Sequence, residues 1–272
     1  MPPLFLLRSA RIGHAGSVVL ALLATAGPAL AAQDSLFGDK TELAIGAGAA
    51  WAPRYAGSGD ARMLPVPVLS VQRGILFADT SRGLGLQYQF DSGLYLSQSI
   101  HYDLGRQERD SNWRPGSVKL LGMGRVPGSV TARTLLVQQI GSRLSLSAEA
   151  EFALRDTARR NRYRVGMEVQ LLQTGSDTVS ASLDAHGGDR RFNQAYFGVT
   201  AAQAGRTGLQ AFTTGAGLYA GSVGMQWEHR FAPHWAGTLQ VVGTHYLDNA
   251  ARSPVVKQDN TVAATAALTY SY

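Results

Sequence analysis

A chain of 272 residues with 45% hydrophobic and 16% charged residues, 31 glycines and a mean hydropathy of −0.06 is too apolar for a disordered chain and too polar for a bundle of membrane helices. It has no cysteine, which excludes a disulfide framework and any thiolate nucleophile or metal ligand. The formal net charge is +6, but no compact Lys/Arg block accompanies it, so nucleic acid is not an expected partner. Low charge with near-zero hydropathy and abundant Gly, Ser and Thr suits a transmembrane barrel, because lipid-facing and lumen-facing residues cancel in the average.

Met1 to Ala31 reads as a secretory signal: Arg8 and Arg11, an apolar run from about Ala15 to Ala26, a Gly27-Pro28 break, and Ala29-Leu30-Ala31 as a small-x-small cleavage site. The run is too short to span a bilayer comfortably, and no Cys follows it for lipid attachment. No Pro/Ser-rich linker or change of composition divides the remainder, so residues 32–272 are expected to form one barrel domain.

From there the chain alternates with a period of two rather than 3.6. About twelve strands are expected, at approximately 42–53, 62–72, 74–79, 84–90, 94–104, 130–140, 143–154, 162–173, 177–187, 218–231, 235–246 and 260–272. Gly46-Ala47-Gly48 is only a fragment of a dinucleotide fingerprint and falls inside the first strand, where small residues ease packing or a bend. Pro65 and Pro67 interrupt the second strand. Two donors missing from one edge imply a bulge or an incompletely paired seam.

Neighbouring strands match face to face. Leu84, Leu86, Tyr88 and Phe90 meet Leu94 and Leu96 across Asp91-Ser92-Gly93, a short loop with Gly available for the left-handed position. Thr131 to Ile140 has no clear apolar face. Arg143 to Leu154 carries Leu144, Leu146, Ala148, Ala150, Phe152 and Leu154 on one side and Ser145, Ser147, Glu149 and Glu151 on the other. Across Thr174-Gly175-Ser176, Glu168 is set opposite Ser182 and Arg164 opposite His186. A slip of one residue in the pair around Ala232-Pro233-His234 would put Glu228 and Arg230 into lipid, so register is strongly specified.

Tight turns alternate with longer connections at about Leu104 to Ser129, Arg155 to Asn161, Gly187 to Gly217 and Leu247 to Asp259. That is the arrangement of short periplasmic turns and long extracellular loops of an antiparallel up-and-down outer-membrane barrel. The final strand places Leu268, Tyr270 and Tyr272 on its apolar face at the very end of the chain. Terminal aromatics belong at a membrane interface, and such an ending resembles the signal read by the barrel-insertion machinery.

The lumen-facing polar candidates are Glu149, Glu151, Arg164, Glu168, Gln226, Glu228 and Arg230. Paired carboxylates alone would suggest glycoside hydrolysis. With Arg164 and Arg230 in the same lumen, a salt-bridged and partly closed interior is the expectation, since charges in such a space must be paired. His101, His186, His229, His234 and His245 lack metal-site spacing. Asp103, Ser182 and Asp184 lack a nucleophile elbow. No catalytic, cofactor or metal site is therefore expected. Gly187 to Gly217, with Arg190, Arg191, Tyr196, Phe197 and Arg206, can serve as an inward constriction, a contact for lipopolysaccharide phosphates, or a self-packed outer loop.

Several segments resemble the MipA/OmpV family of outer-membrane proteins. They are Pro53-Arg54-Tyr55-Ala56-Gly57-Ser58, Leu64-Pro65-Val66-Pro67, Phe77-Ala78-Asp79, Gly83-Leu84-Gly85, Tyr196-Phe197-Gly198-Val199-Thr200 with Ala201, Ala202, Gln203, Gly208 and Leu209, then Ala232-Pro233-His234-Trp235 and Ser253-Pro254-Val255-Val256. The resemblance implies a monomeric barrel in the outer membrane of a Gram-negative bacterium, in contact with lipid and lipopolysaccharide. It also implies a scaffold between a lytic transglycosylase and a peptidoglycan synthase, other members being described as porin-like, adhesin-like or stress-responsive. The family carries no recognised catalytic set. A non-enzymatic scaffold is the first expectation, a narrow porin-like channel the alternative, and an outer-membrane hydrolase a distant third.

Overall fold

Alternating side chains give each strand one apolar and one polar face, and the chain hides the difference by closing a sheet on itself. The computed structural model describes residues 37–155 and 161–272; the expected signal, Met1–Ala31, lies outside them. Twelve antiparallel strands follow in order: β1 (Thr41–Pro53), β2 (Ala61–Arg73), β3 (Leu76–Asp79), β4 (Gly83–Gln89), β5 (Leu94–Asp103), β6 (Ser129–Ile140), β7 (Leu144–Ala153), β8 (Asn161–Gln173), β9 (Asp177–Gly188), β10 (Gly217–Ala232), β11 (Trp235–Tyr246) and β12 (Asn260–Ser271). Each pairs with its neighbours in sequence, and β12 returns to β1 to complete a closed barrel. Closure pairs the strands on both sides everywhere but along the upper part of β2, close to what hydrocarbon demands of a β-structure.

The expected pairings are present, with Tyr88 opposite Leu96, Glu168 opposite Ser182 and Arg164 opposite His186. Outward positions form an apolar belt that includes Leu84, Leu86, Val165, Met167, Val223, Met225, Leu239 and Val241, all exposed. Inward positions are small and polar, among them Ser97, Ser99, Ser145, Ser147, Ser222, Thr265 and Thr269, all buried. This inversion of the usual soluble pattern is that of a membrane barrel. Aromatic residues ring the belt at both ends: Trp51, Tyr102, Phe152 and Tyr163 near one rim, Trp227, Phe231, Trp235 and Tyr272 near the other. Such girdles sit at headgroup level.

Short turns at residues 74–75, 90–93, 141–143, 174–176 and 233–234 lie at the rim where both ends of the barrel chain fall. Longer loops at 54–60, 104–128, 189–216 and 247–259 cover the other rim. Long loops mark the extracellular side, which places the short turns in the periplasm. At the closing seam, a Cβ on Gly48 would lie 2.3 Å from the Ala266 carbonyl oxygen; the close approach of β1 to β12 therefore requires glycine.

The wall is uneven in one place. A membrane strand takes about 9–11 residues, but β3 has four. It pairs with β2 only from Ser70–Asp79 to Arg73–Leu76, so the upper half of β2 has no strand on that side. The carbonyl of Pro67 accepts from Thr80 Oγ1 at 3.1 Å, which orients the backbone polar groups of Pro67 toward β3. Pro65, two residues away, faces the same way. Both missing N–H donors thus fall on the unpaired edge.

Candidate functional site in the charged lumen and its outer cap

Strand register assembles the charged side chains. On β7, Glu151 stands opposite Arg133 of β6 and Arg162 of β8, while Glu149 stands opposite Arg164 of β8. All project inward, because they share parity with the buried Ser145 and Ser147. Glu151, only 1% exposed, accepts from Arg133 Nη2 at 3.1 Å and Arg162 Nη2 at 2.6 Å. Glu149 accepts from Arg164 Nη2 at 2.8 Å, and Arg164 Nη1 donates to Asp184 on β9 at 3.1 Å. Three arginines and three carboxylates cross-brace four strands with no net formal charge. The matching matters because a buried ion without a partner costs several kcal/mol, roughly 3–5 when one member of a pair is removed.

The candidates named from sequence divide between the two ends of the lumen. Glu149, Glu151 and Arg164 join this outer cluster. Glu168, opposite Ser145 and Ser182, lies nearer the periplasmic rim, as do Gln226, Glu228 and Arg230 on β10, opposite Gln240, Thr238 and Ala236. Leu268 and Tyr272 are exposed on the outer face near the periplasmic rim. Tyr270 lies between them, its ring 5.1 Å from Trp235 and 4.7 Å from Tyr272. Arg133 and Arg162 were not among the candidates. Arg133 sits in a strand without a clear apolar face, and only the register with Glu151 reveals which way it points; Arg162 is legible as the inward residue two before Arg164. Asp184 is held by Arg164, and His186 Nε2 lies 2.8 Å from the Oγ of Ser222, not of Ser182. Among the described residues no group of three or more His, Asp or Glu is placed to hold a metal.

Above the charge cluster the loops fold into a cap. Gly187 to Gly217, expected as a polar connection, contains two helices, α1 (Arg190–Phe197) and α2 (Ala201–Thr207). Each is too short to display a helical period in sequence. Asp189 caps α1, accepting from Phe192 N at 2.7 Å, and Thr200 with Gln203 forms a capping box on α2. Phe192, Tyr196 and Phe197 turn inward onto Tyr219 and Tyr246, which stand at the tops of β10 and β11, with Phe192 and Tyr219 stacked at 5.5 Å. A second apolar cluster gathers Tyr55, Leu120, Met123, Val199 and Val255 from four separate loops.

Polar contacts fasten the cap. Arg106 donates to the carbonyls of Tyr196 at 2.6 Å and Ala195 at 3.2 Å, at the C-terminal end of α1. A cation there satisfies orphan carbonyls and the helix dipole. Burial pulls this guanidinium below its ordinary pKa, against the opposing influence of Tyr196 and Tyr55. Arg62 donates to the carbonyls of Ser111 and Arg114, and Lys119 pairs with Asp60 at 2.7 Å. The segments 53–58, 196–209 and 253–256, far apart in sequence, therefore converge on one structure: Ser253 Oγ donates to the Phe197 carbonyl, and Val256 packs against Gly57.

The family described as MltA-interacting protein MipA matches residues 45–272. No curated protein matches the chain. Among solved structures it is similar to OprB of Pseudomonas putida, at 12% identity and a TM-score of 0.38, over 77% of this chain and 59% of that one. It is similar also to an anion-selective porin from Comamonas acidovorans (8% identity, TM-score 0.36, 86% and 99% covered) and to OmpF of Salmonella typhi (11%, 0.39, 85% and 96%). The chain thus spans about three fifths of the OprB chain.

Proposed function

We propose that this chain, which belongs to the MltA-interacting protein MipA family and is an outer-membrane β-barrel, is a non-enzymatic envelope scaffold. In this reading it holds a peptidoglycan-remodelling enzyme of the lytic transglycosylase class against the inner face of the outer membrane. One observation carries it: the extracellular mouth is covered by loops packed in two apolar clusters, directly above a lumen cross-braced by Arg133, Glu149, Glu151, Arg162 and Arg164. A plugged, braced barrel is suited to anchoring rather than to passing solute. Its partner would meet the rim of short turns, a small surface, so contact is expected at the turn tips and strand ends.

Photo-crosslinking in cells from Ser142 and Gly175, two periplasmic turn positions, tests the reading. Adducts with a lytic transglycosylase support it; adducts with the insertion machinery alone would count against it. A narrow channel is the competing reading, favoured by the uncharged polar lining of Ser222, Thr238, Gln240, Thr265 and Thr269. Planar-bilayer recording separates the two. A silent wild type supports the scaffold, whereas steady unit conductance altered by Glu168→Gln or Arg164→Gln would replace it with the channel.

A further inference from the structure

The loop between β5 and β6 encloses a cavity of about 550 Å³ on the extracellular side. It is lined by four arginines, Arg106, Arg109, Arg114 and Arg125, and one acidic residue, Glu108. Arg106 is committed to the end of α1, and Glu108 is committed too: its Oε1 accepts from the backbone N–H groups of Gly122 and Gly124, both at 2.7 Å. The remaining three arginines are exposed. None of them has a carboxylate partner among the described residues; Arg109 has only the Gln107 side-chain oxygen, at 3.4 Å. The cavity is thus strongly cationic, with its nearest acid already occupied.

Apart from Gln107 its remaining wall is apolar, formed by Tyr102, Leu104, Leu121, Val126 and Pro127, and it sits at a definite depth. Tyr102, 50% exposed, belongs to the outer aromatic girdle at the top of β5, and Leu121, 73% exposed, lines the same cavity. Exposing a leucine to that extent in water is unrewarded, and the girdle marks the level of lipid headgroups. A site that offers guanidinium forks on one side and hydrocarbon on the other, at headgroup depth, is complementary to a phosphate carried by an acyl chain.

We propose that this cavity binds a phosphorylated glycolipid of the outer leaflet, with Arg109, Arg114 and Arg125 holding the phosphate and Tyr102 and Leu121 flanking its acyl chains. The site is independent of any periplasmic partner, so it stands or falls apart from the scaffold. It also couples lipid to the cap, since the same loop carries Arg106 and the cap residues Leu120 and Met123.

The test is binding of bisphosphorylated lipid A to the detergent-purified, delipidated full barrel, compared with dephosphorylated lipid A and inorganic phosphate as separate probes. The expected result is binding at least tenfold weaker in the Arg109→Gln/Arg114→Gln/Arg125→Gln variant, and similarly weakened by removing the phosphates, with unchanged circular dichroism. Equal binding by wild type and variant, equal binding of the dephosphorylated lipid, or full displacement by equimolar inorganic phosphate overturns the proposal. Should the triple variant not insert, Arg125→Glu alone, at an exposed loop position, is read by the same criteria.

Discussion

Arg106 Nη1 lies 2.6 Å from the carbonyl oxygen of Tyr196, ninety positions further along the chain. That contact ties the loop after β5 to the last turn of α1, and with it one half of the extracellular cap to the other. Its guanidinium is buried, 3% exposed, and no solvent can substitute for the lost partner if it is removed.

Replacing Arg106 by Met should therefore loosen the cap and spare the barrel. Hydrogen bonds to a charged group contribute about 1.5–3 kcal/mol each, so a local loss of that order is expected. Limited proteolysis and hydrogen exchange should show residues 189–216 opening while the strands stay protected. Unchanged protection of α1 would contradict the role given to Arg106.

Glu151→Gln leaves the shape of the side chain and removes the charge that two guanidinium groups share. The expected cost is roughly 3–5 kcal/mol, measured by urea unfolding from lipid vesicles. Adding Arg133→Met to that variant should recover part of the loss, because one stranded cation disappears with its partner. Additive losses would show that the two side chains do not act as a pair.

Pro65→Thr with Pro67→Thr restores two N–H donors to the open edge of β2. Both sites face outward, so folding stability should move by no more than about 0.5 kcal/mol. Self-association should rise, because an unpaired strand edge with intact donors templates pairing with another chain. Light scattering during refolding into detergent reads this out; a variant as monodisperse as wild type would remove the protective role of the prolines.

Tyr270→Ala deletes ring contacts with His234, Trp235 and Tyr272 at the periplasmic girdle. Each aromatic pair contributes about 0.5–1.5 kcal/mol beyond its area, and the same residue belongs to the terminal stretch read as an insertion signal. Slower assembly into native membranes together with a lower unfolding midpoint is expected. A normal assembly rate with reduced stability would leave Tyr270 a girdle residue only.

The strands were legible because membrane immersion exaggerates the two-residue period: Leu84, Leu86 and Tyr88 are separated by residues of the opposite face, and the turns between Phe90 and Leu94 or Thr174 and Asp177 set the register. The broken edge was legible too, since two prolines on one parity can be placed only where no donor is needed. The helices of the cap were not. Phe192, Tyr196 and Phe197 are apolar in a stretch rich in arginine and glycine, and their shared face appears only when Tyr219 and Tyr246 stand beneath it.

Alternation along the chain, a purely local property, determined that this protein is a closed antiparallel barrel with lipid outside and polar groups within. What fills the outer mouth, which guanidinium meets which carboxylate, and where three arginines remain unpaired depend on segments up to two hundred residues apart, as from Gly57 to Lys257. Pairing across a sheet is dictated by neighbours in space, and the loops that seal it take their shape from strand tops that other parts of the chain provide.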